Sequence, residues 1–275
     1  MLGRRTTTIG IAAAAALLPL ALAASPAQSA ENATVSVLHA VPGLTVDVYA
    51  NGEELIADFE PGTLTDPLKL PAGTYDLAVF PAGEGPDGDP AIEAKDVAVP
   101  AGANATVVAH LDANGDPMLS LFANDASSVP AGQARLTVRH VAAAPAVDVR
   151  GGEQPVFEGL ENPDEASTQV PAGTVSADVV LAGTSDVAIG PADLDLAEGT
   201  NTIVYAWGSA EDDNLALATQ TIDGLHSAPK GVPAGAAGLA GDRDGMPTWL
   251  LLTTAVGLAG AAGATARLVQ VRVRS

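Results

Sequence analysis

Two histidine–aspartate pairs are the first features of this chain able to do chemistry. His39 stands eight residues before Asp47, and His140 stands eight residues before Asp148. An imidazole oriented by a carboxylate is the base of a hydrolytic triad and a common arrangement around bound metals. Each pair has the same surroundings. Val37-Leu38-His39-Ala40 leads to Val46-Asp47-Val48-Tyr49, and Val138-Arg139-His140-Val141 leads to Val147-Asp148-Val149-Arg150. A pair that recurs with its flanks reads first as part of the scaffold. Each histidine ends an early strand and each aspartate lies within the next, so an imidazole–carboxylate hydrogen bond locking a sheet corner is expected. His39, Asp47, His140 and Asp148 are therefore assigned structural roles, and no catalytic residue is assigned. The other histidines, His110 and His226, have no counterparts in the repeat, so three or four converging metal ligands are not expected. No Gly-x-Ser-x-Gly elbow, His-Glu-x-x-His helix or phosphate loop occurs. An enzyme is not expected, and no cofactor is implied.

One loop is close to a calcium site. Asp112-Ala113-Asn114-Gly115-Asp116 matches the opening of a calcium-binding loop. The match then fails, because Pro117 stands where glycine belongs and Ala123 where the closing glutamate belongs. Asp112, Asn114 and Asp116 are weak calcium candidates, and a tight hairpin turn is the favoured reading. Asp87-Gly88-Asp89 and Glu211-Asp212-Asp213-Asn214 are similar acidic loops. Tyr205 and Trp207 share one face of a strand and could form a sugar-stacking platform. With four Phe, two Trp and three Tyr in the whole chain, core residues are the better expectation.

The elements that position these residues come from a duplication. His39 and His140 lie 101 positions apart, as do Asp47 and Asp148. Leu70-Pro71-Ala72-Gly73-Thr74 recurs as Val170-Pro171-Ala172-Gly173-Thr174, 100 positions on, and Gly102-Ala103-Asn104 recurs as Gly199-Thr200-Asn201, 97 positions on. Four landmarks in one order, with offsets shrinking as loop deletions would shrink them, establish an internal repeat. Within each copy apolar and polar residues alternate over short runs such as Tyr75-Asp76-Leu77-Ala78-Val79-Phe80. Turn signals such as Asn51-Gly52 separate the runs. The expected fold is all-β: two tandem antiparallel, immunoglobulin-like β-sandwich domains of seven or eight strands, at 33–125 and 133–225. Residues 127–132 form so short a joint that the two domains should touch.

The ends read differently. Residues 1–29 carry Arg4 and Arg5, an apolar run and a small-residue close at Ala27-Gln28-Ser29, the pattern of a signal peptide. Residues 226–247 form an Ala/Gly/Pro-rich tether. Residues 248–266 hold no charge, start near Trp249 and are followed by Arg267, Arg272 and Arg274. This suits a transmembrane helix with a basic cytoplasmic tail at 267–275. Small-residue pairs such as Gly257 and Ala261 add only a weak reason to expect helix pairing. The expected location is the cell membrane, single-pass, with the domains extracellular. All 33 acidic residues lie between the two ends, giving that part a net charge of about −26, which excludes nucleic acid as a partner and favours cationic ones. The absence of cysteine excludes disulfides and thiolate sites.

The run Val37-Leu38-His39-Ala40-Val41-Pro42, followed by Val46-Asp47-Val48-Tyr49 and Asn51-Gly52, resembles the opening of the bacterial domain family known as domain of unknown function 4397 (DUF4397). Leu70-Pro71-Ala72-Gly73-Thr74-Tyr75 is similar to its second landmark. The second copy departs from the pattern, with Arg150 for the tyrosine and Ala142-Ala143 in the turn. The resemblance implies exported, β-rich surface domains, often in tandem, with no established activity. The chain is also similar in layout to surface proteins of actinobacterial type. Leu239-Ala240-Gly241-Asp242 lacks the Thr-Gly pair of a sortase signal. Three functions follow as expectations. The first is a non-enzymatic surface protein that binds an unknown extracellular protein or envelope partner, or acts as a spacer. The alternatives are a calcium-dependent adhesion module and, more remotely, a cell-wall-directed hydrolase.

Overall fold

The computed structural model describes residues 31–227. The expected signal peptide, membrane helix and basic tail, and all but the start of the tether, lie outside these residues. Among the described residues no helix is long and apolar enough to cross a membrane.

Sixteen strands account for the fold of the described residues. The first eight are β1 (Ala33–Ala40), β2 (Val46–Ala50), β3 (Glu53–Phe59), β4 (Leu68–Leu70), β5 (Gly73–Pro81), β6 (Ile92–Val99), β7 (Asn104–Leu111) and β8 (Pro117–Ala123). The second eight are β9 (Gln133–Ala143), β10 (Val147–Gly151), β11 (Gln154–Leu160), β12 (Glu165–Pro171), β13 (Gly173–Leu181), β14 (Val187–Leu196), β15 (Asn201–Ser209) and β16 (Ala216–Ile222). The sheets are ordered β4-β1-β7-β8 and β3-β2-β5-β6, then β12-β9-β15-β16 and β11-β10-β13-β14. The second pair repeats the first strand for strand, so the duplication read from the landmarks is a duplication of topology.

Two details correct the expectation. Each sandwich contains one parallel pairing, β1 with β7 and β9 with β15. The chain alternates between sheets, so β7 returns beside β1 running the same way. The strand orders also differ from the A-B-E-D and C-F-G sheets of an immunoglobulin domain. The sandwich expectation stands; the all-antiparallel, immunoglobulin-like detail does not.

Hydrophobic periodicity builds the interiors. Val37, Val46, Val48, Phe59, Val79 and Ala109 meet between the first two sheets. Leu136, Val138, Val149, Leu160, Val179 and Val204 do so in the second sandwich. Asn51 and Gly52 both have positive φ, at 53° and 81°, which matches the twist a two-residue hairpin needs between β2 and β3.

A third apolar cluster belongs to neither sandwich. Leu38, Val108 and Phe122 of the first copy pack with Val141, Ile203 and Tyr205 of the second. The β4-β1-β7-β8 sheet therefore lies face to face against the β12-β9-β15-β16 sheet, and β1, β7, β9 and β15 are buried on both faces. The strands of the two sheets run in the same direction. Near the start of β9, Asn201 Nδ2 donates to the Asp125 carbonyl just below β7, and near its end Asn162 reaches the carbonyls of Leu111 and Ala142. The two copies are side by side, not end to end.

Candidate functional site

The repeated histidines clamp backbone rather than carboxylates. The side chain of His39 points into its own sandwich, 5.7 Å from the Phe59 ring. Its Nε2–H donates to the Leu44 carbonyl at 2.7 Å, while Nδ1 faces the Val41 amide at 3.5 Å. His140 repeats this with the Pro145 carbonyl at 3.0 Å and the Ala142 amide at 3.4 Å. Each ring thus holds the first loop of its sandwich closed. Burial pushes both imidazoles below their ordinary pKa, so each is held neutral.

Asp47 and Asp148 do the matching work on the other face. Asp47 accepts the amides of Asp58 at 2.8 Å and Gly83 at 2.9 Å. Asp148 accepts those of Gly159 at 2.7 Å and Gly183 at 2.9 Å. The Gly183 and Gly159 amides hold the Asp148 carboxyl below the usual carboxylate range. The expected imidazole–carboxylate bond is not made in either copy. Val46 and Val48 point into the core, so Asp47 between them points outward, while His39 points inward from the opposite sheet.

The calcium candidates fold into a turn. Asp112 Oδ1 accepts the amides of Asn114 at 2.7 Å and Asp116 at 2.9 Å, and Oδ2 lies 3.3 Å from Asn114 Nδ2. The carboxylate serves the β7–β8 hairpin, and the Asp116 and Asn114 amides lower its pKa. Among the described residues no three acidic or histidine side chains converge as a metal site would require. A small gap inside the first sandwich, lined by residues such as Val48, Leu77 and Val97, presents only apolar atoms and has room for about two waters by volume.

The densest polar chemistry lies in the joint between the sandwiches, around Arg139. This side chain is 1% exposed. Its Nε donates to Glu165 at 2.8 Å, and one terminal nitrogen donates to Asn124 Oδ1 at 3.0 Å and the Tyr205 hydroxyl at 2.8 Å. The other terminal nitrogen lies 3.3 Å from the Ala123 carbonyl. The guanidinium also sits 4.6 Å from the centre of the Phe122 ring. Tyr205 donates onward to Gln220 Oε1 at 2.7 Å, which also accepts from Thr106 of the first sandwich at 2.9 Å. Burial raises the Tyr205 pKa. Tyr205 and Trp207 are thus joint residues, not an exposed sugar platform. Arg135 pins the linker through the Asp125 and Ser127 carbonyls, each at 3.1 Å, and the Ser127 hydroxyl at 2.9 Å. Sequence reasoning missed Arg139, because a cation in an alternating strand ordinarily faces water.

The joint has an approximate two-fold relation. Thr106 bonds Gln220, and their counterparts Ile203 and Phe122 meet in the shared cluster. Arg139 lies against Phe122 and Asn124, and their counterparts Leu38, Gln220 and Ile222 line the same joint. Gly62 of the first copy touches Trp207, the counterpart of His110.

The cations of the described residues are Lys69, Lys95, Arg135, Arg139 and Arg150. Arg135 and Arg139 are buried, and Arg150 is paired with Asp178 at 2.6 Å. Arg150 replaces Tyr49 of the first copy, whose hydroxyl bonds Glu54. Among the described residues the lysines are two, Lys95 beside Glu93 and Lys69 on Thr34.

No curated protein matches the chain. A family model described as Domain of unknown function (DUF4397) matches residues 33–150, the whole first sandwich and the opening two strands of the second, and it supports membership of that segment in this domain family.

Proposed function

We propose that this is a non-enzymatic, membrane-anchored surface protein whose fused pair of sandwiches binds a partner through loops at one end. On this reading the second sandwich is a tandem copy of the same domain, in an exported protein of actinobacterial type. The observation that carries the proposal is where the chain enters and leaves. The first strand starts beside Ala103, where Thr34 N donates to the Ala103 carbonyl at 2.7 Å. The chain leaves beside Val129 and Gly199, where Leu225 N donates to the Gly199 carbonyl at 2.9 Å. Because both copies run the same way, these points share one end of the block.

Loops 41–45, 82–91 and 112–116 of the first copy then share the opposite end with loops 144–146, 182–186 and 210–215 of the second. A second sandwich placed alongside adds width and loops, not reach. Binding is therefore favoured over spacing. These loops contain carboxylates and no lysine or arginine, which favours a partner bearing basic groups. The non-enzymatic reading is supported by the histidines and aspartates, whose polar atoms are engaged in holding loops.

The test is retention of cell-envelope proteins on immobilised residues 31–227, with and without replacement of loops 82–91 and 182–186 by short Asn-Gly turns. Retention of a component by the intact block that the loop-replaced block fails to retain is the expected result. Equal retention by both blocks, or turnover of a wall polymer that a His39→Gln change abolishes with the fold intact, overturns the reading.

A further inference from the structure

We propose that His110 makes the joint between the two sandwiches an acid-sensitive latch, closed while its imidazole is neutral and released when the ring takes up a second proton. His39 and His140 are counterparts that serve the same clamp in each copy. His110 has no such counterpart, since Trp207 occupies its position in the second sandwich. It lies on the joint face of β7 and is 0% exposed.

Both ring nitrogens are in use. Nδ1 faces the Leu111 carbonyl at 2.8 Å and must be the donor there, which leaves Nε2 to accept from the Ser120 hydroxyl at 2.8 Å. The Leu111 carbonyl is also a partner of the second sandwich, because Asn162 Nδ2 donates to it at 2.9 Å and to the Ala142 carbonyl at 2.6 Å. The imidazole and the cross-joint amide therefore share one acceptor. A proton added at Nε2 turns the Ser120 hydroxyl from donor to acceptor and places in the seam a positive charge with no carboxylate among its hydrogen-bond partners.

The titratable groups facing His110 are Asp112 on its own hairpin, which favours the charged ring, and His140 on β9, which opposes it. Asp164, in the loop that carries Asn162, faces His140 in turn. Burial is the largest influence and holds His110 below its ordinary value of 6.5. With the folded value lowered, the unfolded or opened state binds more protons. Joint stability is complete above the ordinary histidine pKa and falls as pH drops below it.

The absence of cysteine allows a clean distance measurement across the block. Spin labels at Glu93→Cys and Asp193→Cys sit on exposed positions of the two outer sheets. One narrow distance population is expected at pH 7.5. At pH 5.5 a broader and longer population is expected to grow by up to about tenfold, reversing on neutralisation, with the far-ultraviolet strand signal unchanged. His110→Gln and His110→Asn variants stay narrow at both pH values, whereas His39→Gln still opens. Without any variant, the imidazole resonance of His110 titrates together with the distance change. An unchanged distance, the same opening in both His110 variants, a resonance that titrates at a different pH, or opening only with loss of strand signal overturns the latch.

Discussion

Arg139→Ala is the sharpest test of the joint. The pair with Glu165 contributes little by itself, because the Glu165 side chain is 42% exposed and solvent screens it. The larger loss comes from the buried side. Asn124 Oδ1 and the Ala123 carbonyl lose a donor, the Tyr205 hydroxyl loses its cationic partner, and the Phe122 ring loses the guanidinium stacked on it. Removing one member of a buried, hydrogen-bonded charged cluster costs about 3–5 kcal/mol. For a unit of about 200 residues each kcal/mol moves the midpoint by roughly 2–4 °C, so Tm should fall by roughly 6–20 °C. Arg139→Leu, which copies Leu38 of the first sandwich, restores apolar volume but supplies no donor, and should lie between wild type and Arg139→Ala. Urea denaturation and calorimetry of residues 31–227 give both numbers. A cost below about 1 kcal/mol for Arg139→Ala, the size of an ordinary surface change, would refute the claim that this guanidinium fastens the sandwiches together.

Gly62→Ala would place a Cβ 2.8 Å from Cζ2 of Trp207 at a φ of +78°, and should cost about 2–4 kcal/mol from strain and overpacking together. Gly83→Ala has a similar φ of +82° with nothing within 4 Å, and should cost about 1–2 kcal/mol; equal costs in chemical denaturation would remove the Trp207 contact from the account. Asp148→Asn should lower Tm at neutral pH and progressively less toward pH 3. The lowered folded pKa means that the carboxylate's contribution is present above its unfolded value and is lost as pH falls through the folded one. A deficit independent of pH would contradict that assignment. Millimolar calcium should leave Tm unchanged, because the Asp112 carboxylate is engaged in its hairpin; a rise of several degrees would reinstate the adhesion reading.

What was legible in the chain was whatever repeats or alternates. The offset of His39 to His140 predicted two copies of one unit, and the period-two runs predicted strands. The inward sets Val46, Val48 and Val147, Val149 lie in their expected cores. Alternation says which residues share a face, but not what that face meets. Ser36, Thr106, Thr137 and Arg139 alternate with valines and leucines as solvent-facing residues do, yet all are buried in the joint. Their partners come from about a hundred residues away, and a polar face covered by another polar face carries the same pattern as one covered by water. The His–Asp pairing failed for a related reason. Eight residues of separation suggested proximity, but the chain changes sheet between β1 and β2, so the two side chains point to opposite sides of the β2 sheet.

The departures of one repeat from the other fall where they decide pairing. Along the joint, Leu38 corresponds to Arg139, Val108 to Tyr205, Phe122 to Gln220 and His110 to Trp207. Two first-copy faces set against each other would join leucine, valine and phenylalanine and leave Thr106 and Asn124 without the Gln220 and Arg139 that now meet them. Two second-copy faces would turn each Arg139 toward Gln220 and Ile222, without the Phe122 ring and the Asn124 amide that now receive it. An incompletely paired buried cation disfavours that arrangement by several kcal/mol. Only the mixed pair gives the guanidinium its ring, its amide and its backbone carbonyl together. The divergence has therefore turned a nearly symmetric contact into one that specifies first copy against second. It also fixes both loop ends on the same side of the block, which the proposed binding surface requires.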